Sequence, residues 1–373
     1  MLTTHSGETD HDHFQHYTRC CRTGSDRHRQ GAAHEAVKER ALACCDWAVS
    51  MDLVATRTLV DICDDRLVAV EALLKVRNEI TPYVDLQLVS QDGLSRSPNA
   101  RENIIRALEM GVNVVGRIPH FEHSMADRRR SVTELCEIAA ERGLMMDLHC
   151  DATDDPHSRH IEQLAHESHR LGLHGRVADS HLTSMRSMDN YYVPKLLPLI
   201  AEAGVSAIPN PLINIMLQGR DDTYPKRRGL TRVPEMLKVG IRTGWGRIAC
   251  VIPGTRSARP TCSTSPSWAC MSPRCPIRRT CVRALIWMGL DHLGLEVGKT
   301  ASLVVLDAGN PIEAVHLRAE RVCVIARGKV VAEREKRETV LSIKGRPATI
   351  NRRHFVPRQP WVTNNTRQGA QSK

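Results

Sequence analysis

Between residues 34 and 246, short apolar runs alternate with amphipathic stretches, and this alternation constrains the fold more than any other feature. The runs at 84–89, 112–118, 144–149, 177–180 and 206–209 read as buried strands. The stretches at 66–79, 100–110, 131–142, 158–171 and 192–203 place apolar residues at helical spacing. Strand then helix, repeated this often, predicts a parallel sheet with crossover helices. A (β/α)8 barrel and an open doubly wound sheet both satisfy that pattern. The polar residues choose between them. Ser90-Gln91-Asp92, Pro119-His120-Phe121-Glu122, His149-Cys150-Asp151, Ser180-His181 and Asn210-Pro211 each follow a strand run. In a barrel the strand C-termini converge on one mouth, so these groups would share a pocket. No Gly-rich phosphate loop follows any strand, which weighs against a dinucleotide-binding sheet.

With 373 residues the chain is long enough for one large domain or two modest ones. Its formal charge of +10 invites a nucleic-acid reading, but the excess is localised. Residues 247–286 hold seven Arg and no acid, and residues 351–373 hold five basic residues and no acid. Without those twelve cations the remainder is slightly acidic. Few aromatics are interleaved with the basic residues, so no base-stacking platform is expected. No apolar run reaches the ~20 residues of a membrane span. The polar start lacks the apolar stretch of a secretory signal, so a cytoplasmic protein is expected. The 13 Cys contain no Cys-x-x-Cys pair, and reduced thiols are the expectation.

Four zones follow: an atypical segment at 1–33 without periodicity, a barrel at 34–287, a C-terminal β portion at 288–340, and a basic tail at 341–373. Within the barrel, 247–286 has five Pro and neither structural period, which is unusual for so long a stretch in a compact domain. Strand runs at 301–306 and 322–326 mark the C-terminal portion, with Arg327-Gly328-Lys329 as a hairpin turn.

Over 34–246 and 288–333 the sequence resembles the bacterial cytosine deaminases of the metal-dependent amidohydrolase superfamily. The resemblance rests on Ile118-Pro119-His120-Phe121-Glu122, His149-Cys150-Asp151, Ser180-His181-Leu182-Thr183-Ser184-Met185 and Tyr191-Tyr192. Its most specific part runs Asn210-Pro211-Leu212-Ile213-Asn214-Ile215, then Leu217-Gln218-Gly219-Arg220 and Thr223-Tyr224-Pro225-Lys226-Arg227-Arg228-Gly229. It implies a (β/α)8 TIM-like barrel, incomplete here, with a returning β-sandwich portion. The implied chemistry is hydrolytic deamination of a small cytosine-like ring, with a divalent metal (Fe or Zn) activating water. The resemblance makes His149 a metal ligand, His181 a metal or hydroxide partner and catalytic residue, and Gln91 a binder of the pyrimidine edge. It implies no nucleic-acid or membrane partner, and leaves a homo-oligomer open. The nucleoside deaminases of the other zinc class need Pro-Cys-x-x-Cys beside their His-x-Glu; His160-Ile161-Glu162 has no such companion.

The departures carry equal weight. The family's first-strand His-x-His is missing unless the displaced Asp10-His11-Asp12-His13 supplies it. Its proton-carrying Glu is Ala152, its Arg-Thr-His-Val-Asp reads Arg57-Thr58-Leu59-Val60-Asp61, and its Asp ligand falls on Ile248. Residues 252–262, read one base out of frame with suitable codons, can restore the family pattern. A frameshifted translation over 247–286, and another over 1–33, is therefore the expectation, with activity impaired. Asp151, Asp154 and Asp155 read as loop and helix-cap residues, and His120 and Glu122 as residues near the mouth. Two rival functions stand beside this one: a superfamily enzyme for another cyclic amidine or lactam, and a non-catalytic remnant that binds acidic partners through its basic segments.

Overall fold

The computed structural model describes residues 27–91 and 99–211, most of 214–245 and most of 288–346. Asp10 to His13, Ile248, the segment 247–286 and the end of the basic tail lie outside the described residues.

A helix, α1 (Arg27–Ser50), leads into six parallel strands. The strands are β1 (Ala55–Asp61), β2 (Asp85–Gln91), β3 (Val114–Arg117), β4 (Met145–Leu148), β5 (Val177–Ser180) and β6 (Ser206–Ile208). Helices α2 (Val68–Ile80), α3 (Ala100–Met110), α4 (Met125–Arg142), α5 (His160–Arg170) and α6 (Val193–Glu202) connect them, and α7 (Val233–Lys238) follows β6. The strands lie in chain order, β1 beside β2 through to β6, with no reversal. A doubly wound sheet would contain a switch point; this one winds in one direction, as a barrel does. Thr243 bridges Ala207 and continues the arc past β6.

One ion pair shows how far the sheet curls. Arg57 on β1 reaches Asp147 on β4, three strands along, with Nη1 2.8 Å from Oδ2. Flat strands at about 4.8 Å spacing would leave those positions roughly 14 Å apart. The concave face closes around Gly116 of β3. A Cβ there would lie 2.0 Å from Val89 Cγ1 and 2.7 Å from the Asp147 carbonyl, so only glycine fits. The convex face is mainly apolar, with Arg117 and Asp179 as buried polar exceptions. Val60, Leu88, Val115, Met146, Leu148 and Val177 are buried in one core with Val70, Ile104, Leu135, Ile161, Leu164 and Ile200 of the helices. Each such side chain contributes roughly 1.5–3 kcal/mol by leaving water.

Local signals set the helix starts. Helix α4 begins six residues earlier than apolar spacing indicates, because the Ser124 hydroxyl accepts the Asp127 amide. Helix α1 begins inside the segment read as patternless; its Ala, Arg, Glu and Lys favour helix without marking one apolar face. Strand β1 was absent from the strand runs because Arg57 and two Thr interrupt its apolar pattern.

The C-terminal portion is, among the described residues, one antiparallel sheet: β7 (Leu303–Leu306), β8 (Arg321–Ala326) and β9 (Lys329–Glu333). The expected hairpin holds: Arg327 and Gly328 both have positive φ, 50° and 77°, as a two-residue turn of matching twist requires. The sheet is fastened at the N-terminal ends of the barrel strands, away from the mouth. Arg327 Nη2 is 2.6 Å from Asp85 Oδ1, and Arg321 Nε is 2.9 Å from Asp52 Oδ2. Among the described residues no helix is long and apolar enough to cross a membrane.

Candidate active site

The C-terminal strand ends bring together the residues that the sequence singled out. His149 follows β4 and His181 follows β5, both buried. Their rings meet edge to face with centroids 5.0 Å apart. His120, one strand earlier, has Nδ1 3.1 Å from the His149 carbonyl, so it donates there as the Nδ1–H tautomer. Three imidazoles from three adjacent strands thus converge on one mouth. Gln91 closes β2 opposite Asp61 of β1, half-buried, and alternation along the strand places it on the concave face with Gln87.

His181 has φ 77° and Leu182 φ 55°, left-handed values that are costly for residues with a Cβ. Three bonds hold His181 there, one of them a donation from Asn214 Nδ2 to the His181 carbonyl at 3.5 Å. Its amide donates to the Ile208 carbonyl at 3.0 Å, and its Nδ1 lies 2.8 Å from Asn214 Oδ1. Asn214 is buried in the turn after β6, with its amide on the Asn210 carbonyl. An Nδ1–H donating to Asn214 leaves the His181 Nε2 lone pair free toward the mouth.

Burial makes all three imidazoles neutral at physiological pH. His120 and His181 are each held down to about 4, and His149 lies well below its ordinary value. Burial pushes the Cys150 thiol well up, so this cysteine is no nucleophile. Asp151 serves structure, as the sequence indicated: Oδ1 accepts the His160 amide at 3.0 Å and Oδ2 the Ile161 amide at 3.0 Å, capping α5. Asp154 accepts the Gly219 amide at 2.7 Å, and Arg227 donates to the Asp154 carbonyl and to Ser187. The Gln218–Gly219 turn and Arg227 are thereby tied to the loops after β4 and β5.

Beneath the mouth lies a network that sequence reasoning missed. Arg57 donates to Asp147 and to Gln87, Ser180 donates to Asp147, and Gln87 donates to the Met288 carbonyl. Asp147 lies two residues before His149 and Ser180 one before His181, so the network fixes the strands that carry both histidines. Its signal in the sequence was polar residues at alternate positions inside otherwise apolar strands.

A tetrahedral metal shared by two imidazoles would set their ring centroids about 5.2 Å apart, and the His149–His181 spacing of 5.0 Å suits that. A hydrolytic zinc centre takes about three protein ligands and an open position. Among the described residues no group of three His, Cys, Asp or Glu converges to hold a metal. The donors described are therefore too few for the metal that the resemblance implies, and no chemical step is routed through one.

A family model described as "Amidohydrolase family" matches residues 34–247, more than half of the chain. The chain belongs to the amidohydrolase family. It is 33% identical to the 5-methylcytosine deaminase from Klebsiella pneumoniae, whose crystal structure carries 5-fluorocytosine; the match covers 87% of this chain and 79% of that one, with a TM-score of 0.80. It is 24% identical over 330 residues to the N-isopropylammelide isopropyl amidohydrolase of Pseudomonas sp. (strain ADP), covering 83% of this chain and 76% of the relative. At the level of the fold alone it resembles a mutant atrazine chlorohydrolase from Arthrobacter aurescens TC1 complexed with zinc and atraton, at 14% identity and a TM-score of 0.59 over 80% and 73% of the two chains. Of the family reading from the sequence, membership of the amidohydrolases is upheld, as is the barrel architecture. Hydrolysis at carbon–nitrogen bonds is the chemistry that this family membership supports.

Proposed function

We propose that the mouth of this amidohydrolase recognises a cytosine-like ring and that the chain is built for hydrolytic removal of the ring's exocyclic amino group. The observation that carries this is the neutral His149–His181 pair, with Gln91 at the end of a strand of the same barrel, in a chain one-third identical to a 5-methylcytosine deaminase. Gln91 presents both a donor and an acceptor, which suits the alternating N–H and C=O edge of a pyrimidine. His181 Nε2, set by Asn214, accepts a proton or orients a water at the ring carbon. His120 and His149 remain neutral and add no positive charge to the pocket.

Turnover is expected to be poor. The position three residues after His149 is Ala152, which holds no proton, and losing one general acid/base costs ~10²–10⁴ in rate. The divalent metal, iron or zinc, would supply the hydroxide, but the described residues offer it two imidazoles. A frameshift over 247–286 remains our explanation for the missing Asp, and resequencing of the gene tests it: an uninterrupted frame at high coverage overturns it.

The second reading within the family is a hydrolase for a triazine ring, favoured by the N-isopropylammelide relative. Calorimetric titration with cytosine and with N-isopropylammelide separates the two. Tighter binding of cytosine, weakened at least tenfold by Gln91→Ala, supports the proposal. Tighter binding of N-isopropylammelide transfers support to the second reading, and binding of neither removes both.

A further inference from the structure

The barrel face opposite the mouth carries a histidine pair that plays no part in the chemistry above. His169 lies in the last turn of α5, and His174 in the turn at 171–176 that leads into β5. Both side chains are exposed, and their ring centroids are 5.5 Å apart with planes inclined at 72°. Two imidazoles on one tetrahedral cation would hold their centroids about 5.2 Å apart, close to the spacing of this pair.

The backbone beneath the pair is pinned. The Gly172 amide donates to the His169 carbonyl at 3.3 Å, and the Leu173 amide to the Ser168 carbonyl at 2.9 Å. Leu173 is buried, and the Gly175 amide donates to the Gly204 carbonyl at 3.2 Å. Gly204 packs so closely that a Cβ on it would lie 3.3 Å from His174 Cα. Only the two rings are left to adjust, so binding a cation orders little else. The charges around the pair are also managed. Arg170 is held by Glu167 at 2.6 Å and Glu137 at 3.2 Å, and Arg242 by the Gly204 carbonyl at 2.9 Å. The C-terminal end of α5 adds the partial negative charge of a helix terminus.

We propose that His169 and His174 chelate a divalent cation of borderline softness, zinc(II) in the test below, at a site separate from the mouth. Imidazole-only donors favour such ions over magnesium or calcium. A zinc ion there would count in any total-metal assay and be mistaken for one between His149 and His181.

The test is zinc titration of the full chain carrying histidine labelled with ¹³C at ring C2, with resonances assigned by single substitutions. The expected result is that the His169 and His174 signals move together, at a zinc concentration at least tenfold below that moving the exposed His157. His169→Ala should raise the midpoint of His174 at least tenfold, His174→Ala should do the same to His169, and His166→Ala should leave both unchanged. Unaltered melting curves show that the variants fold. Independent titration of the two rings at the His157 midpoint would overturn the proposal, as would single substitutions that leave the partner's midpoint unmoved.

Discussion

Replacing Arg57 with Met removes one half of an ion pair whose side chains are 3% and 6% exposed. Asp147 would keep the Ser180 hydroxyl but lose the guanidinium 2.8 Å away, and Gln87 would lose the Arg57 Nε donor at 2.9 Å. Breaking a buried pair from one side typically costs about 3–5 kcal/mol, because a charge stays desolvated without its partner. The lost Gln87 bond adds roughly 0.5–1.5 kcal/mol. Arg57→Met should therefore destabilise the chain by about 5 kcal/mol, and Asp147→Leu by a similar amount. The double variant, with no buried charge, should fall only ~0–2 kcal/mol below the parent. Guanidinium denaturation of the full chain, followed by far-ultraviolet circular dichroism, reads all three. Loss of less than ~1 kcal/mol in Arg57→Met, or a double variant as unstable as the sum of the singles, would refute the reasoning.

Gly116→Ala should cost at least ~1–3 kcal/mol in the same assay, because its methyl group meets Val89 and the Asp147 carbonyl below contact distance. In histidine NMR, His120 and His181 should stay neutral down to about pH 5 and titrate near 4, with His149 also well below its ordinary value; midpoints between 6 and 7 would contradict the burial argument. The sign for stability follows: with folded values below the ordinary 6.5, these imidazoles give a contribution that is full above 6.5 and lost as pH falls toward 4. Asp147 and Asp179, pushed up by burial, act in the opposite sense, so the resonances are the cleaner readout. Asn214→Leu should release His181 from its single tautomer, seen as ¹⁵N shifts averaged between the two nitrogens, while Asn214→Asp should retain it.

Much of this fold was legible because a parallel barrel repeats one pattern. The runs at 84–89 and 177–180 lie where β2 and β5 form, and the mouth residues follow strands as a barrel requires. The Asp151 cap was readable from an acid ahead of a helical run. What escaped notice has a common cause. Arg57, Gln87 and Asp147 are polar residues inside strands, and apolar periodicity discards them, although their partners come from strands 30 and 90 positions away in sequence. Asn214 was quoted as part of a motif, yet nothing local shows that it faces His181 across 33 residues. Helix α1 was missed from the opposite side: its residues favour helix without marking a buried face.

A ¹⁹F NMR time course of 5-fluorocytosine with the full chain and added zinc or iron reads ring recognition and turnover in one sample. Recognition of the ring should broaden and shift the 5-fluorocytosine signal saturably, with the effect lost in Gln91→Ala. Two imidazoles without a proton carrier at Ala152 should leave the 5-fluorouracil signal undetected over the same period. An unperturbed 5-fluorocytosine signal would contradict the cytosine-like pocket, and steady growth of 5-fluorouracil would contradict the incomplete metal centre.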